Sequence, residues 1–220
     1  MRVAEVLPRL DRIVGRPFGQ LFEEYRLDGI IVAKGKTGKL LEQVLGLSPG
    51  ARLRDFEDGE LKTNKARADG YPRETMFISQ ISSRVDDLFG RRPFRQSWLY
   101  RKIRRIVYIP VVKQGPPEQW YFLCYYDVRI EPGGALYGRI ESDYHAICEQ
   151  MIAHIEQGDG MLHTSSGRFI QIRTKDAKPY NPIYSERYGR YVSNKNFAFY
   201  FKKDFMLEVQ RLAKGAGPVR

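Results

Sequence analysis

The sequence predicts a mixed α/β domain, and three observations carry that reading. Apolar residues in the first 45 positions recur at helical spacing. From Leu53 to Val128 the pattern switches to short extended runs rich in β-branched and aromatic residues. Helical spacing then returns over Ser142 to Glu156 and again after Asp204.

Taken in order, Val3, Val6, Leu7 and Leu10 mark a first helix. Leu21, Phe22 and Tyr25 mark a second, after Pro17, whose fixed φ suits a first helical turn. A third fits Thr37 to Leu45, with Leu40, Leu41, Val44 and Leu45 on one side and Gly46 as its stop. Leu53-Arg54-Asp55-Phe56 reads as a short strand, Asp58-Gly59 as a turn and Glu60-Leu61-Lys62-Thr63 as the returning strand of a hairpin. Thr75 to Ile78 and Ile106 to Ile109, the latter closed by Pro110, are strands. Trp120 to Val128 is a further strand, apolar enough to predict burial on both faces. Ser142 to Glu156 is a helix with Ile147, Met151 and Ile155 stacked. Phe169 to Ile172 and Phe197 to Phe201 are late strands, and Asp204 caps a last helix through Leu212. The sum is a mostly consecutive sheet with helices at both ends. It forms a single domain over residues 1–213, with a flexible tail at 214–220.

Composition narrows the function. The chain has 220 residues, with 37 Lys and Arg against 26 Asp and Glu, a formal charge of +11. An apolar fraction of 42% and an aromatic fraction of 13% are too high for a disordered chain. No apolar run is long enough for a transmembrane helix, and the N-terminal residues lack a signal-peptide core, so the expected compartment is the cytoplasm. Two cysteines, Cys124 and Cys148, exclude a disulfide framework and a four-cysteine zinc site. The charge points to a polyanionic partner, nucleic acid ahead of a membrane, because the basic residues form no terminal amphipathic tract.

One constellation is suited to chemistry. Glu60 and Lys62 are two apart on an expected strand, so they share a face while Leu61 points to the core. Asp55 lies across the Asp58-Gly59 turn and can approach Glu60. A divalent cation resolves the repulsion of two carboxylates, and Mg²⁺ favours such oxygen ligands. Bound there it polarises a phosphate and activates a water, while a neighbouring lysine stabilises the growing charge. On spacing alone an exposed charged hairpin face is the preferred reading.

The wider text adds to this. Lys34-Gly35-Lys36-Thr37-Gly38-Lys39-Leu40-Leu41-Glu42 leads to Asp55-Phe56 and then Gly59-Glu60-Leu61-Lys62-Thr63. Further blocks follow in order: Arg73-Glu74-Thr75-Met76-Phe77, Arg101 to Pro110, Gln171-Ile172-Arg173-Thr174-Lys175 and Phe199 to Phe205. This series resembles the MutH mismatch-repair endonucleases and the related GATC-cutting type II restriction enzymes of the PD-(D/E)xK superfamily. The resemblance spans most of the chain.

The resemblance implies a restriction-endonuclease-like fold, a mixed β-sheet flanked by helices, with a DNA cleft between two lobes. It implies Mg²⁺-dependent cleavage of double-stranded DNA. By position, Asp55, Glu60 and Glu42 would be metal-binding carboxylates, Lys62 the catalytic lysine and Lys102 a second basic group near the scissile phosphate. Lys34 would contact DNA, Arg173 and Lys175 would lie on a base-reading loop, and Tyr200 would touch the adenine and sense its methylation. The gap between Asp55 and Glu60 is short and contains Glu57 and Asp58, either of which can compete as a ligand. The leading expectation is a type II restriction enzyme cutting at GATC or a related short site and leaving 5′-phosphate ends. The alternatives are a mismatch-repair nickase activated by a MutL-like partner and a non-catalytic DNA-binding module.

Overall fold

The computed structural model describes residues 1–25, 36–47, 55–175 and 179–215. The helices are α1 (Val3–Ile13), α2 (Phe18–Tyr25), α3 (Lys36–Val44), α4 (Val85–Phe89), α5 (Trp98–Ile103), α6 (Ala135–Glu156) and α7 (Lys203–Gly215). The strands are β1 (Glu60–Ala66), β2 (Met76–Gln80), β3 (Arg105–Val112), β4 (Tyr121–Phe122), β5 (Tyr126–Arg129), β6 (Ser165–Ser166), β7 (Ile170–Thr174), β8 (Ile183–Ser185), β9 (Arg190–Ser193) and β10 (Phe197–Phe201). The chain is therefore mixed α/β, as its periodicity predicts and as a restriction-endonuclease-like fold requires. It divides into two compact units. The first comprises Met1–Glu74, Lys102–Arg129 and Leu207–Arg220, and the second Thr75–Arg101 and Ile130–Met206.

The first unit is built on β3. Its residues from Ile106 onward are buried, as expected of a strand covered on both faces. β1 lies parallel to it, with Glu60 opposite Ile106 and Ala66 opposite Val112. β4 and β5 pair antiparallel with its other edge. The apolar stripes of α1, α2 and α3 pack here: Val6, Leu10, Ile13, Phe18, Leu21 and Leu41 join Phe56, Leu61, Val107, Ile109 and Phe122 in one cluster. Burying each such side chain contributes about 1.5–3 kcal/mol before entropy is charged against it.

Several expected elements change here. The hairpin of residues 53–63 does not form among the described residues. Asp55 to Asp58 is a bend, positions 53 and 54 lie outside the described residues, and β1 takes a parallel partner more than 40 positions away. Pro110 does not end its strand but sits inside β3, opposite Asn64. Instead, the expected long strand from Trp120 breaks into β4 and β5. β4 pairs with Val111 and Val112, and β5 pairs with Arg105 to Tyr108. The gap between them falls opposite Pro110, which has no N–H to give a ladder. Burial in β5 alternates, with Asp127 exposed, so the expectation of two covered faces also fails.

The second unit carries the antiparallel sheet β2-β10-β7-β6 and the small pair β8-β9. All five residues of β10 are buried, as befits a central strand. α6 begins seven residues earlier than its strongest periodicity suggests and packs on β6 and β7, with Ile140, Tyr144, Ile147 and Met151 among its buried residues. Its buried Asp143 accepts the backbone N–H groups of Arg168 (2.9 Å), Phe169 (2.5 Å) and Ile170 (3.2 Å). Gly167 permits this approach, since a Cβ there would lie 2.3 Å from the Asp143 carboxyl carbon. The sheet order is not consecutive, because β2 pairs with β10, over 110 positions later. α7 starts at Lys203, so Asp204 sits in the first turn and is not the cap, and the helix continues to Gly215. Residues 214 and 215 of the expected tail at 214–220 are thus helical, and 216–220 lie outside the described residues. Both cysteines are free thiols.

Candidate active site

β1 places the expected trio by strand alternation. Leu61 is buried in the core cluster, and Glu60 and Lys62 share the opposite face. The Lys62 ammonium donates to Glu60 Oε1 at 2.7 Å. Lys102, near the end of α5, donates to the same oxygen at 2.8 Å. All three side chains are largely enclosed, with relative exposures of 4% for Glu60, 12% for Lys62 and 13% for Lys102. A carboxylate this buried is costly unless paired, and two ammonium groups supply the pairing. Glu60 Oε2 is buried and has no hydrogen-bond partner.

Asp55 sits in the bend before β1, half-buried, where its Oδ2 accepts the Leu61 N–H at 2.8 Å. The described part of the expected hairpin is a bend, which still fixes Asp55 beside the first residues of β1. Gly59 makes that bend possible: a Cβ there would lie 2.7 Å from the Val3 side chain. Glu42 lies on α3 and is half-buried. Lys34 lies outside the described residues.

The two competing carboxylates are engaged elsewhere. Glu57 is exposed and accepts from the Met1 amino group at 2.7 Å, which holds its carboxyl below the usual glutamate range. Asp58 Oδ1 accepts the Val3 N–H at the start of α1 at 2.8 Å, and Oδ2 pairs with Arg105. Burial pushes the Asp58 carboxyl up, but the Val3 N–H and the Arg105 charge outweigh it and bring it below the usual aspartate range. Asp58→Ala should therefore cost about 1–2 kcal/mol in denaturant unfolding, as the N-terminal groups of α1 lose an acceptor. That difference should be full above the pKa of an unfolded aspartate, about 3.9, and disappear as pH falls through the lowered folded-state value.

In the second unit, three expected DNA-contacting residues share one face of the sheet. The Arg173 guanidinium lies 4.4 Å from the Tyr200 ring centroid and donates to Thr75 Oγ1 at 3.0 Å. Phe77 stands edge-on to Tyr200 at 5.7 Å, and the Lys175 ammonium lies 4.8 Å from the Phe77 ring. Cross-strand register explains the grouping, since Tyr200 is opposite Phe77 on one side and Gln171 on the other. Arg173 and Phe77 are exposed, while Tyr200 is 9% exposed.

No protein-family model matches the chain. Curated relatives do. A protein of Histophilus somni (strain 2336) described as DNA mismatch repair protein MutH is 25% identical over 224 positions, covering 94% of this chain and 92% of that protein. The MutH protein of Pasteurella multocida is 24% identical over 229 positions, covering 97% of both. The MutH protein of Vibrio vulnificus is 34% identical over 116 positions, about half of each chain. This chain is MutH-like.

In the MutH-like chain the motif residues fall into two sets. Glu60, Lys62 and Lys102 are in direct contact, and Asp55 is anchored one residue from Glu60. Arg173, Lys175 and Tyr200 form the second set, linked through Phe77. Among the described residues, no group of three or more His, Cys, Asp or Glu side chains is arranged to hold a metal ion, so Glu42 does not complete a carboxylate triad with Asp55 and Glu60. The donors present nevertheless fit a hard cation. They are carboxylate oxygens, one of them Glu60 Oε2, buried without a donor, and Mg²⁺ commonly takes only one or two carboxylates besides water and phosphate. Sequence reading missed Phe77 and Thr75 as members of the second set. Their signal was present in the block Arg73 to Phe77, but its pairing to β10 was not.

Proposed function

We propose that this protein is a Mg²⁺-dependent, MutH-type mismatch-repair endonuclease that nicks the unmethylated strand of duplex DNA at GATC when a MutL-like partner activates it. The observation that carries the reading is the Glu60 carboxylate, held by Lys62 and Lys102 through one buried oxygen and bare at the other. The name borne by the full-length relatives supports the repair reading over the restriction enzyme that the motifs first suggest.

Asp55 and Glu60 would hold the cation, with water and phosphate oxygens completing its shell. When bound, Mg²⁺ supplies positive charge to the phosphate and lowers the pKa of a coordinated water. Water oxygen adds to phosphorus, the bond to the 3′ oxygen breaks, and that oxygen takes up a proton. The products are a 5′-phosphate and a 3′-hydroxyl. Lys62 Nζ, fixed by Glu60, orients the water or stabilises charge on the phosphate, and Lys102 adds a second cation. In the second unit Arg173 presents a planar fork suited to guanine, Lys175 adds a donor and Tyr200 an aromatic edge for adenine.

Arg173→Ala should lower discrimination between GATC and single-base variants by about 1–3 kcal/mol, read from relative cleavage rates. A uniform loss on all sequences would make Arg173 a phosphate contact. The function itself is tested with unmethylated, hemimethylated and fully methylated GATC duplexes, with and without a MutL protein. The proposal expects nicks confined to unmethylated strands and strongly stimulated by the partner. Double-strand breaks by the protein alone would make it a restriction enzyme. DNA binding without cleavage in any mixture would make it a binding module.

A further inference from the structure

A second basic site lies in the first unit, at the far end of β1 from Glu60. A cavity of about 470 Å³ there is lined by Lys65, Arg67, Arg73 and Lys113, with Asp69 and Gln114. Its volume is within the usual range for small-ligand sites, about 300–1,000 Å³.

The topology brings these cations together. β1 and β3 run parallel and end together at the pair Ala66 and Val112, which puts Lys65 and Lys113 at one end of the sheet. After β1 the chain reverses in a turn, with the Gly70 N–H bonded to Arg67 O at 2.9 Å. The Arg73 N–H then bonds Lys65 O at 2.8 Å, so Arg73 returns alongside Lys65. Four cationic groups therefore face one cavity through backbone geometry, not through chance rotamers.

Acidic compensation is slight. Asp69 pairs with Arg67 at 2.8 Å. Glu74 lends its Oε1 to the backbone N–H of Lys65 at 3.1 Å. Among the described residues, no carboxylate comes within ion-pair distance of the Lys65, Arg73 or Lys113 side chains. The Lys113 ammonium lies 4.8 Å from the Trp120 ring centroid and is half-buried. Burial lowers its pKa, Glu74 opposes that, and the Lys65 charge lowers it further. Like charges focused on a concave, partly dehydrated surface attract an anion strongly. Asp69, the carboxylate that lines the cavity, is taken up by Arg67, which suits binding and not chemistry.

We propose that this cavity binds a phosphate group, supplied by the backbone of duplex DNA beyond the cleaved bond. This source rests on the nuclease reading above. Lys65 is three residues along β1 from Lys62, about 10 Å at strand rise. Measured along a duplex axis that is about three base pairs, at 3.4 Å per pair, a separation that a duplex engaged at the cleaved bond can cover.

The test uses the full chain and the variants Arg73→Gln, Lys113→Gln and their double. Both residues lie on solvent-accessible surface, and equal thermal midpoints check that the variants fold. Binding is measured against salt concentration with two GATC duplexes, one just covering the site and one extended by a helical turn on each side. The long duplex should show a steeper salt dependence than the short one. The slope on the long duplex should fall by about one unit per cation removed, while the short duplex is unaffected. In a second arm, inorganic phosphate is titrated against the wild type and the double variant, with Trp120 fluorescence as the readout. A phosphate response lost in the double variant, with no change in either DNA slope, would assign the cavity to free phosphate. Unchanged slopes and no phosphate response would overturn the site. Failure of the wild type to bind either duplex would instead remove the nuclease reading.

Discussion

Lys62→Ala is expected to reduce DNA cleavage by ~10²–10³-fold, the usual consequence of removing one group that stabilises charge in the transition state. The fold should survive. Glu60 Oε1 keeps Lys102 at 2.8 Å, so the buried carboxylate is not stranded, and the cost should fall short of the ~3–5 kcal/mol of an unpaired buried charge. Lys62→Met, close in shape but uncharged, should behave like the alanine variant in rate. Lys62→Arg should not restore full activity, because a planar guanidinium cannot replace a compact ammonium enclosed beside Glu60. Single-turnover cleavage with saturating protein separates this loss from DNA binding, which should change little. A loss of less than about tenfold would remove Lys62 from the chemistry.

Asp55→Asn should lower cleavage on the order of 10³-fold and raise the Mg²⁺ concentration needed for half-maximal rate. The substitution is chosen because an amide oxygen can still accept the Leu61 N–H that Asp55 accepts at 2.8 Å, so the bend is preserved while the charge is lost. Glu57→Gln is the control. Glu57 is occupied by the Met1 amino group and Arg2, so its loss should leave the Mg²⁺ dependence unchanged. If Glu57→Gln instead shifted the Mg²⁺ curve and Asp55→Asn did not, the ligand assignment would move to Glu57.

Much of the local structure was legible in the sequence. Glu60 and Lys62 share a face with Leu61 opposed because strand alternation is a property of the chain itself. The amphipathic stripes of α1 and α3 are local in the same sense. Pairing was not legible. Nothing near Asp55 announces that β1 will lie parallel to β3, or that Phe77 will meet Tyr200, more than 120 positions away. A two-residue turn signal favoured a hairpin, whereas the described β1 takes a parallel partner within the buried core. Lys102 illustrates the same divide. Its basic run reads equally well as a solvated face, yet Arg101 and Arg104 are exposed while Lys102 turns inward to Glu60. Only the resemblance distinguished it. Glu57 and Asp58 stayed open as ligands until their contacts with Met1, Val3 and Arg105 came into view.

In the proposed function, Glu60, Asp55, Lys62 and Lys102 form a metal-dependent phosphodiester-hydrolysis centre. That assignment is tested most directly by following scission of one unmethylated GATC duplex by the purified protein and a MutL partner as Mg²⁺ is raised from zero. No cleavage is expected in chelator, and a saturable rise with Mg²⁺ should give 5′-phosphate and 3′-hydroxyl ends. Binding of the duplex without scission at any Mg²⁺ concentration, or scission that persists in chelator, would contradict that assignment.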